Sequence, residues 1–242
     1  MPTIKANKIW DTQYNWTLDG DEWSNQAAYC KKPYKEWRDS IAKEFICKNI
    51  RNNFNILEIA PGHGRWTKFL LKKYSNLTLV DLNRECIEFC KKKFPACKNI
   101  KYIVNDGKTL TAIKNDSIDF IWSYDSFVHM EKDVVESYIK EFFRVLKKGG
   151  VAIIHHPGRN NVALRFKFLK NLGILGNKIY QIISINKFFG DDGWRSDISK
   201  YFIKKIAEKN DLRVEYQINC WGENNAYNIK LFNDSISKLT KR

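Results

Sequence analysis

The sequence predicts an α/β fold in which a doubly wound, mostly parallel sheet is flanked by helices. Short apolar runs alternate with amphipathic segments through the middle of the chain, and no internal repeat or low-complexity linker interrupts them. With 242 residues, 43% of them hydrophobic, the chain can bury a core without disulfides or a metal. In such a sheet ligands bind beyond the carboxyl ends of the strands, so function is sought there.

The predicted elements give a seven-stranded sheet with an antiparallel end. Strands are expected at 55–60, 77–81, 100–105, 117–123 and 151–155, with helices at 65–74, 84–94 and 131–148. Gly149 and Gly150 are expected to end the last of these helices. A helix at 197–210 and two strands at 213–219 and 227–232, interpreted as an antiparallel hairpin, are expected to close the sheet.

Charge and cysteine content limit the classes of function. The formal net charge is +15, which is compatible with nucleic acid or a smaller anionic substrate, but Lys outnumbers Arg 32 to 10, as a biased coding composition would give. The six cysteines form no C-x-x-C pair, so free thiols are expected and no metal site. The N-terminus has no apolar signal core and the chain has no long apolar run, so we expect a cytoplasmic protein without membrane insertion.

The turn after the first strand is built to approach a ligand. It reads Ala60-Pro61-Gly62-His63-Gly64, and the two glycines let the backbone come close to a bound group. A dinucleotide fingerprint would need a third glycine where Thr67 stands, and the G-K-[ST] of a phosphate-binding loop is missing. The turn therefore favours neither NAD nor ATP.

Acidic residues near the carboxyl ends of the first three strands indicate a nucleoside with a cationic tail. Glu58 lies inside the first strand, Asp81 ends the second, and Asp106 follows the third. Asp81 can accept hydrogen bonds from both ribose hydroxyls, and Asp106 can accept one from an adenine amino group. S-adenosylmethionine has these features and no diphosphate.

These motifs resemble those of the class I S-adenosylmethionine-dependent methyltransferases. Their acidic-x-G-x-G-x-G motif appears here as Glu58-x-Ala60-x-Gly62-x-Gly64, with alanine in place of the first glycine. The run 118–123 resembles the family's fourth motif, and the run 146–150 resembles its L-K-P-G-G. The resemblance covers residues 50–232 and implies a Rossmann-like sheet with S-adenosylmethionine as cofactor. It implies cofactor contacts from Glu58, Ala60, Gly62, His63, Gly64, Asp81, Leu82, Asp106, Gly107, Ser123 and Tyr124.

The absence of two known motifs limits the possible classes of methyl acceptor. Members that methylate base amino groups carry [DN]-P-P-[YF] after strand four, where this chain has Ser123-Tyr124-Asp125-Ser126. Methylation of a base carbon needs a cysteine near strand four or five, and none lies between Cys97 and Cys220. The sequence therefore favours a small-molecule hydroxyl acceptor.

All four histidines follow strand one, four or five. Asp125 and His129 are four residues apart, so in a helix the carboxylate would orient the imidazole, and His129 is our preferred general base. His155 and His156, which end strand five, are the second choice. His63, in the glycine-rich turn, is expected to pack on the cofactor.

We place the methyltransferase domain at residues 49–242, preceded by an aromatic N-terminal segment. Residues 1–48 are rich in aromatic residues, with a helix expected at 33–48. The resemblance implies that this segment covers the cofactor, while a satellite hydrophobic cluster is the alternative. The residues expected to form that cover are Tyr14, Trp16, Trp23 and Tyr34.

The insertion at 157–195 mixes basic and aromatic residues, and the resemblance implies that it builds the acceptor pocket. The pattern suits a phosphate-bearing acceptor such as a nucleotide-linked sugar of a surface polysaccharide. An interfacial amphipathic helix or a solvated helix packed on the core would show the same pattern. The alternatives to a small-molecule O-methyltransferase are an RNA methyltransferase and a non-catalytic scaffold.

Overall fold

The computed structural model describes residues 25–71, 76–95, 99–158, 172–184, 196, 198–231 and 233–242. The predictions for Tyr14, Trp16 and Trp23, and for most of the insertion, lie outside these residues. Among the described residues, no helix has the length and apolar character needed to span a bilayer.

Nine strands are described in this part of the chain. They are β1 (Asn55–Ile59), β2 (Asn76–Asp81), β3 (Ile100–Val104), β4 (Ile118–Ser123), β5 (Leu146–Pro157), β6 (Leu212–Ile218), β7 (Cys220–Trp221), β8 (Tyr227–Asn228) and β9 (Asp234–Lys241). The apolar runs form the central strands because parallel strands covered on both faces need apolar residues on both sides.

The described helices cover both faces of the sheet. They are α1 (Asn25–Tyr29), α2 (Tyr34–Ile41), which continues as a π-helix (Ala42–Cys47), α3 (Thr67–Leu70), α4 (Arg84–Lys93), α5 (Lys132–Val145), α6 (Gly173–Ser184) and α7 (Lys200–Lys209), with a 3₁₀ turn at Glu223–Asn225. The side chain of Ser199 caps α7 by accepting a hydrogen bond from the backbone N–H of Phe202.

The main sheet has seven strands in the order β3-β2-β1-β4-β5-β9-β6. Strands β1 to β5 pair in parallel, and β9 is antiparallel to both neighbours, β5 and β6. The predicted class, a doubly wound, mostly parallel Rossmann-like sheet whose last strand in sequence is antiparallel, is therefore confirmed. The order reverses between β1 and β4, which places the ligand crevice at their carboxyl ends.

Three predicted elements have wrong boundaries. The helix expected at 65–74 begins only at Thr67 and ends at Leu70, because Leu71 has an extended backbone. The helix expected to run to Lys148 ends at Val145, and β5 already begins at Leu146, because Leu146 pairs with Ile118 of β4. The strand expected at 227–232 is only the two-residue β8, which pairs with β7 in a separate small hairpin. The last long strand is β9, whose polar sequence DSISKLTK concealed a strand that is largely buried between two others.

Two apolar clusters hold the layers together. One lies between the sheet and α5 and α7, and the other between the sheet and α2, the π-helix, α3 and α4. Trp37 of α2 belongs to the second cluster, with 1% of its surface exposed. The described part of the aromatic N-terminal region therefore packs on the sheet beside the carboxyl ends of β1 and β4.

Candidate cofactor and acceptor site

The turn that follows β1 adopts the backbone conformation expected of a ligand-binding turn. We call residues 60–64 the glycine turn. Ala60, Gly62 and Gly64 have φ values of 56°, 54° and 77°, in the left-handed region. Ala60 thus occupies the conformation that the family's usual glycine adopts without strain. A Cβ on Gly64 would lie 2.7 Å from Cε2 of Phe94, so the turn also packs closely against α4 and its end.

Glu58 is buried beneath the glycine turn. Its carboxylate accepts a hydrogen bond of 2.7 Å from the hydroxyl of Thr67, the first residue of α3. Burial raises the pKa of Glu58 to about 8, although Thr67 and Arg65 oppose the shift. Glu58 therefore ties the turn to the helix that follows it and holds a proton at neutral pH.

Asp81 ends β2 directly beside the glycine turn. Its carboxylate accepts hydrogen bonds from the backbone N–H groups of Asn83, at 2.9 Å, and of Gly62, at 3.4 Å. Burial raises the pKa of Asp81 to about 6. The long bond to Gly62 brings together the two groups that the sequence assigned to the cofactor, and Leu82 follows at the same edge.

Asp106 is occupied by its own loop. Its carboxylate accepts hydrogen bonds from the backbone N–H groups of Lys108 and Thr109 and from the Thr109 hydroxyl. Gly107, at φ 72°, donates its N–H to the side chain of Asn105. An adenine amino group would therefore have to bind a carboxylate, that of Asp106, which already accepts hydrogen bonds within its own turn.

Aromatic residues surround the ends of β1 and β4. Tyr124 stacks on Trp122 and packs on Trp66, with centroids 5.8 Å and 4.9 Å away. Ser123 donates its hydroxyl to the carbonyl oxygen of Ile59 in β1. These contacts join the strand ends on the two sides of the crevice.

His63 was expected to pack on the cofactor. The structure places its ring flat against Phe89 of α4, with ring centroids 3.6 Å apart. This histidine of the glycine turn is therefore stacked on protein.

A buried chain of charged side chains runs along the carboxyl ends of β1, β4 and β5 and the amino end of β9. We call Arg65, Asp125, His155 and Asp234 the charged chain. Arg65 forms a short ion pair with Asp125, whose other oxygen lies 3.1 Å from Nδ1 of His155. Nε2 of His155 lies 3.3 Å from Oδ2 of Asp234, which accepts a 3.5 Å hydrogen bond from Gln26 of α1.

The charged chain perturbs its own members. Burial raises the pKa of Asp125, but Arg65 and His155 overcome this and hold it well below its usual range. Burial lowers the pKa of His155, yet the hydrogen bonds to Asp125 and Asp234 outweigh it and raise the pKa above its usual value. The backbone N–H of Asp125 also lies 3.1 Å from Nδ1 of His155 and donates to it in the tautomer whose Nδ1 carries no proton.

Asp125 and His129 do not share a helix. Residues 125–129 form a bend and turn, and Asp125 has a φ of 60°. The carboxylate of Asp125 is bonded to Arg65 and His155. The structure therefore contradicts the expectation that a shared helix lets Asp125 orient the imidazole of His129. His129 follows β4 and is 9% exposed.

His156 is poorly placed to be a base. Its Nδ1 donates to the carbonyl oxygen of Pro157 at 2.8 Å, so its Nε2 accepts from the hydroxyl of Ser237 at 2.6 Å. It is fully buried, and burial lowers its pKa to about 4. Both ring nitrogens hold β5 to its surroundings.

Sequence reasoning missed Arg65, Asp234 and Gln26. Arg65 was counted only as the first residue of a helix, and Asp234 lay beyond the last predicted strand. A prediction of β9 would have revealed Asp234, because antiparallel pairing puts it opposite Pro157, next to the two histidines of β5.

The residues present fit S-adenosylmethionine. Asp81 presents a carboxylate beside the glycine turn, which suits a ribose, and the left-handed backbone of that turn allows a ligand to approach closely. Nη1 of Arg65, immediately after that turn, is buried and has no hydrogen-bond partner in the described part of the chain. No group of three or more metal-ligating side chains forms among the described residues.

The fold and this edge define the class. Residues 56–150 match the family model described as "Methyltransferase domain". This match identifies residues 56–150 as a methyltransferase domain, and solved S-adenosylmethionine-dependent methyltransferases share the fold of the chain.

Sequence relatives and solved structures agree on this class. A relative called "Ribosomal RNA small subunit methyltransferase A" from Borreliella burgdorferi is 30% identical over 167 residues, which span 61% of this chain and 59% of the relative. A magnesium protoporphyrin IX methyltransferase from Synechocystis has a TM-score of 0.66 at 9% identity, covering 100% of this chain and 98% of that chain. A methyltransferase from Clostridium acetobutylicum has a TM-score of 0.61 at 19% identity, covering 90% and 95%. At these identities the two structures support the fold alone.

Proposed function

We propose that this protein transfers the methyl group of S-adenosylmethionine to a hydroxyl of a small molecule. The observation that carries the proposal is the meeting of the glycine turn with Asp81, where the Gly62 N–H lies 3.4 Å from the carboxylate. When bound, the cofactor supplies an electrophilic methyl group. The protein's part is to orient cofactor and acceptor and to accept the hydroxyl proton.

Asp81 gives the first test. Saturating the protein with S-adenosylhomocysteine at about 100 times its Kd should stabilise it by about 2.7 kcal/mol, measured by thermal shift. Asp81→Asn should abolish most of that shift, because an amide cannot accept from both ribose hydroxyls. A shift with NADH and none with S-adenosylhomocysteine would contradict the proposal.

We propose His129 as the proton acceptor. It follows β4 at the ligand edge, whereas both ring nitrogens of His156 are committed to internal bonds. The ring of His155 lies between two carboxylates and is 1% exposed, so it is less able to reach an acceptor.

The acceptor we propose is a sugar hydroxyl, with a nucleotide-linked sugar as the first choice. Transfer of labelled methyl to a panel of nucleoside-diphosphate sugars should fall about 100-fold or more in His129→Asn, with binding of S-adenosylhomocysteine unchanged. Equal turnover by the variant at every pH would rule out His129 as the base.

RNA is the second acceptor class to test. The named relative acts on ribosomal RNA by its name, and the chain has a net charge of +15. Against it, the segment after β4 lacks the proline pair used for base amino groups. Bulk RNA binding with a steep salt dependence, together with methyl transfer to RNA, would favour this alternative.

A further inference from the structure

Three buried hydrogen-bond donors without partners meet at the ends of β1 and β4, beside a fourth, the indole N–H of Trp122. They are Nη1 of Arg65, the indole N–H of Trp66 and the hydroxyl of Tyr124, and none has a hydrogen-bond partner in the described part of the chain. All three residues are at least 94% buried, with exposures of 6%, 3% and 5%. Buried donors are normally satisfied, so three in mutual contact indicate a missing partner.

The three side chains pack against one another. Cζ of Arg65 lies 5.2 Å from the centre of the Trp66 ring and 5.8 Å from that of Tyr124. The Trp66 and Tyr124 rings are 4.9 Å apart. An arginine and an indole N–H can only donate, so the missing partner must accept hydrogen bonds.

Arg65 is held in place for this role. Its Nη2 is bonded to Asp125 and its guanidinium also interacts with Tyr34, while Nη1 has no hydrogen-bond partner in the described part of the chain. Asp125 is itself shared with His155, whose other nitrogen faces Asp234.

We propose that Arg65, Trp66 and Tyr124 form a subsite for an oxyanion, a carboxylate or phosphate, beside the site of methyl transfer. Arg65 directly follows the glycine turn and Tyr124 directly follows β4, so the subsite lies beside the proposed cofactor site. The inference therefore rests on the proposed function. The oxyanion comes either from the amino-acid end of the cofactor or from an acidic group of the acceptor. Guanidinium donors favour oxyanions because such hydrogen bonds are charge-assisted.

Tyr124→Phe is the most informative variant. It removes only the hydroxyl, which has no protein partner, so the variant should melt at the same temperature as the wild type or higher without ligand. Trp66→Phe removes the indole N–H but leaves space behind. Tyr216→Phe is a control on β6, where the ring packs on Phe45, away from the subsite.

Titration calorimetry of the full chain separates the two sources. If the cofactor supplies the oxyanion, Tyr124→Phe should bind S-adenosylhomocysteine about tenfold or more weakly and bind methylthioadenosine, which lacks the carboxylate, as the wild type does. If the acceptor supplies it, both ligands should bind normally, and inorganic phosphate or acetate should bind the S-adenosylhomocysteine complex of the wild type more tightly than that of the variant.

Two failures are distinguishable. A wild type that does not bind S-adenosylhomocysteine would sink the proposed function. A wild type that binds it, with Tyr124→Phe and Tyr216→Phe indistinguishable for all four probes, would overturn the subsite alone.

Discussion

The glycine turn and the charged chain lie side by side at one edge of the sheet but are built differently. The glycine turn consists of five consecutive residues, and its shape depends on the left-handed backbone conformations of Ala60, Gly62 and Gly64. The charged chain brings together side chains from β5, β9 and the segments that follow β1 and β4. The turn is thus fixed by local sequence, whereas the charged chain exists only when the whole sheet is paired.

This comparison predicts that breaking the charged chain costs more than disturbing the turn. Arg65→Met leaves Asp125 buried without its cation, and the free energy of unfolding should fall by about 3–5 kcal/mol in urea denaturation. The matched control is Lys147→Met, which breaks an ion pair with Asp119 in which the lysine is 40% exposed and should cost less than about 1 kcal/mol. Equal losses in the two variants would show that burial does not distinguish the pairs.

Glu58 tests whether a buried carboxyl group beneath the glycine turn makes the stability of the protein depend on pH. Its folded pKa of about 8 lies above the ordinary value of 4.5, so the folded state keeps a proton that the unfolded state loses. Stability should therefore decrease between about pH 4.5 and pH 8. Glu58→Gln mimics the protonated form. At pH 8 its free energy of unfolding should exceed that of the wild type by an amount on the order of a few kcal/mol, and at pH 4 the two free energies should be equal. A difference in stability between the wild type and Glu58→Gln that stays the same from pH 4 to pH 8 would contradict a buried, protonated Glu58.

The same contrast explains what the sequence could predict. Motif spacing located the glycine turn and Asp81, because a strand, a tight turn and a helix are encoded within about ten consecutive residues. The pairing of Asp125 with Arg65 and His155 could not be read in this way, because it depends on the sheet order β1-β4-β5. Asp234 was hidden further, since the alternating polar residues of β9 do not resemble a buried strand.

Gly64 tests the packing of the turn. Gly64→Ala introduces a Cβ at φ 77° and brings it to 2.7 Å from the Phe94 ring, so we expect a loss of about 1–3 kcal/mol. Gly149→Ala is a matched control, because Gly149 has the same φ of 77° and no atom within 4 Å of its Cβ position. The difference between the two variants in urea denaturation isolates the contact with Phe94. Identical losses would assign the whole effect to backbone strain.

Ala60 and Asp125 give the smallest and most direct comparison, because both are non-glycine residues with left-handed φ values, 56° and 60°. The strain at Asp125 is retained by its bonds to Arg65 and His155, whereas the methyl group of Ala60 makes no polar bond. Ala60→Gly should therefore stabilise the protein by about 0.5 kcal/mol, since relief of strain slightly exceeds the added freedom of the unfolded chain. Urea denaturation with and without S-adenosylhomocysteine measures it. A loss of stability without ligand would mean that the Ala60 methyl group packs usefully and that the turn is not strained at this position.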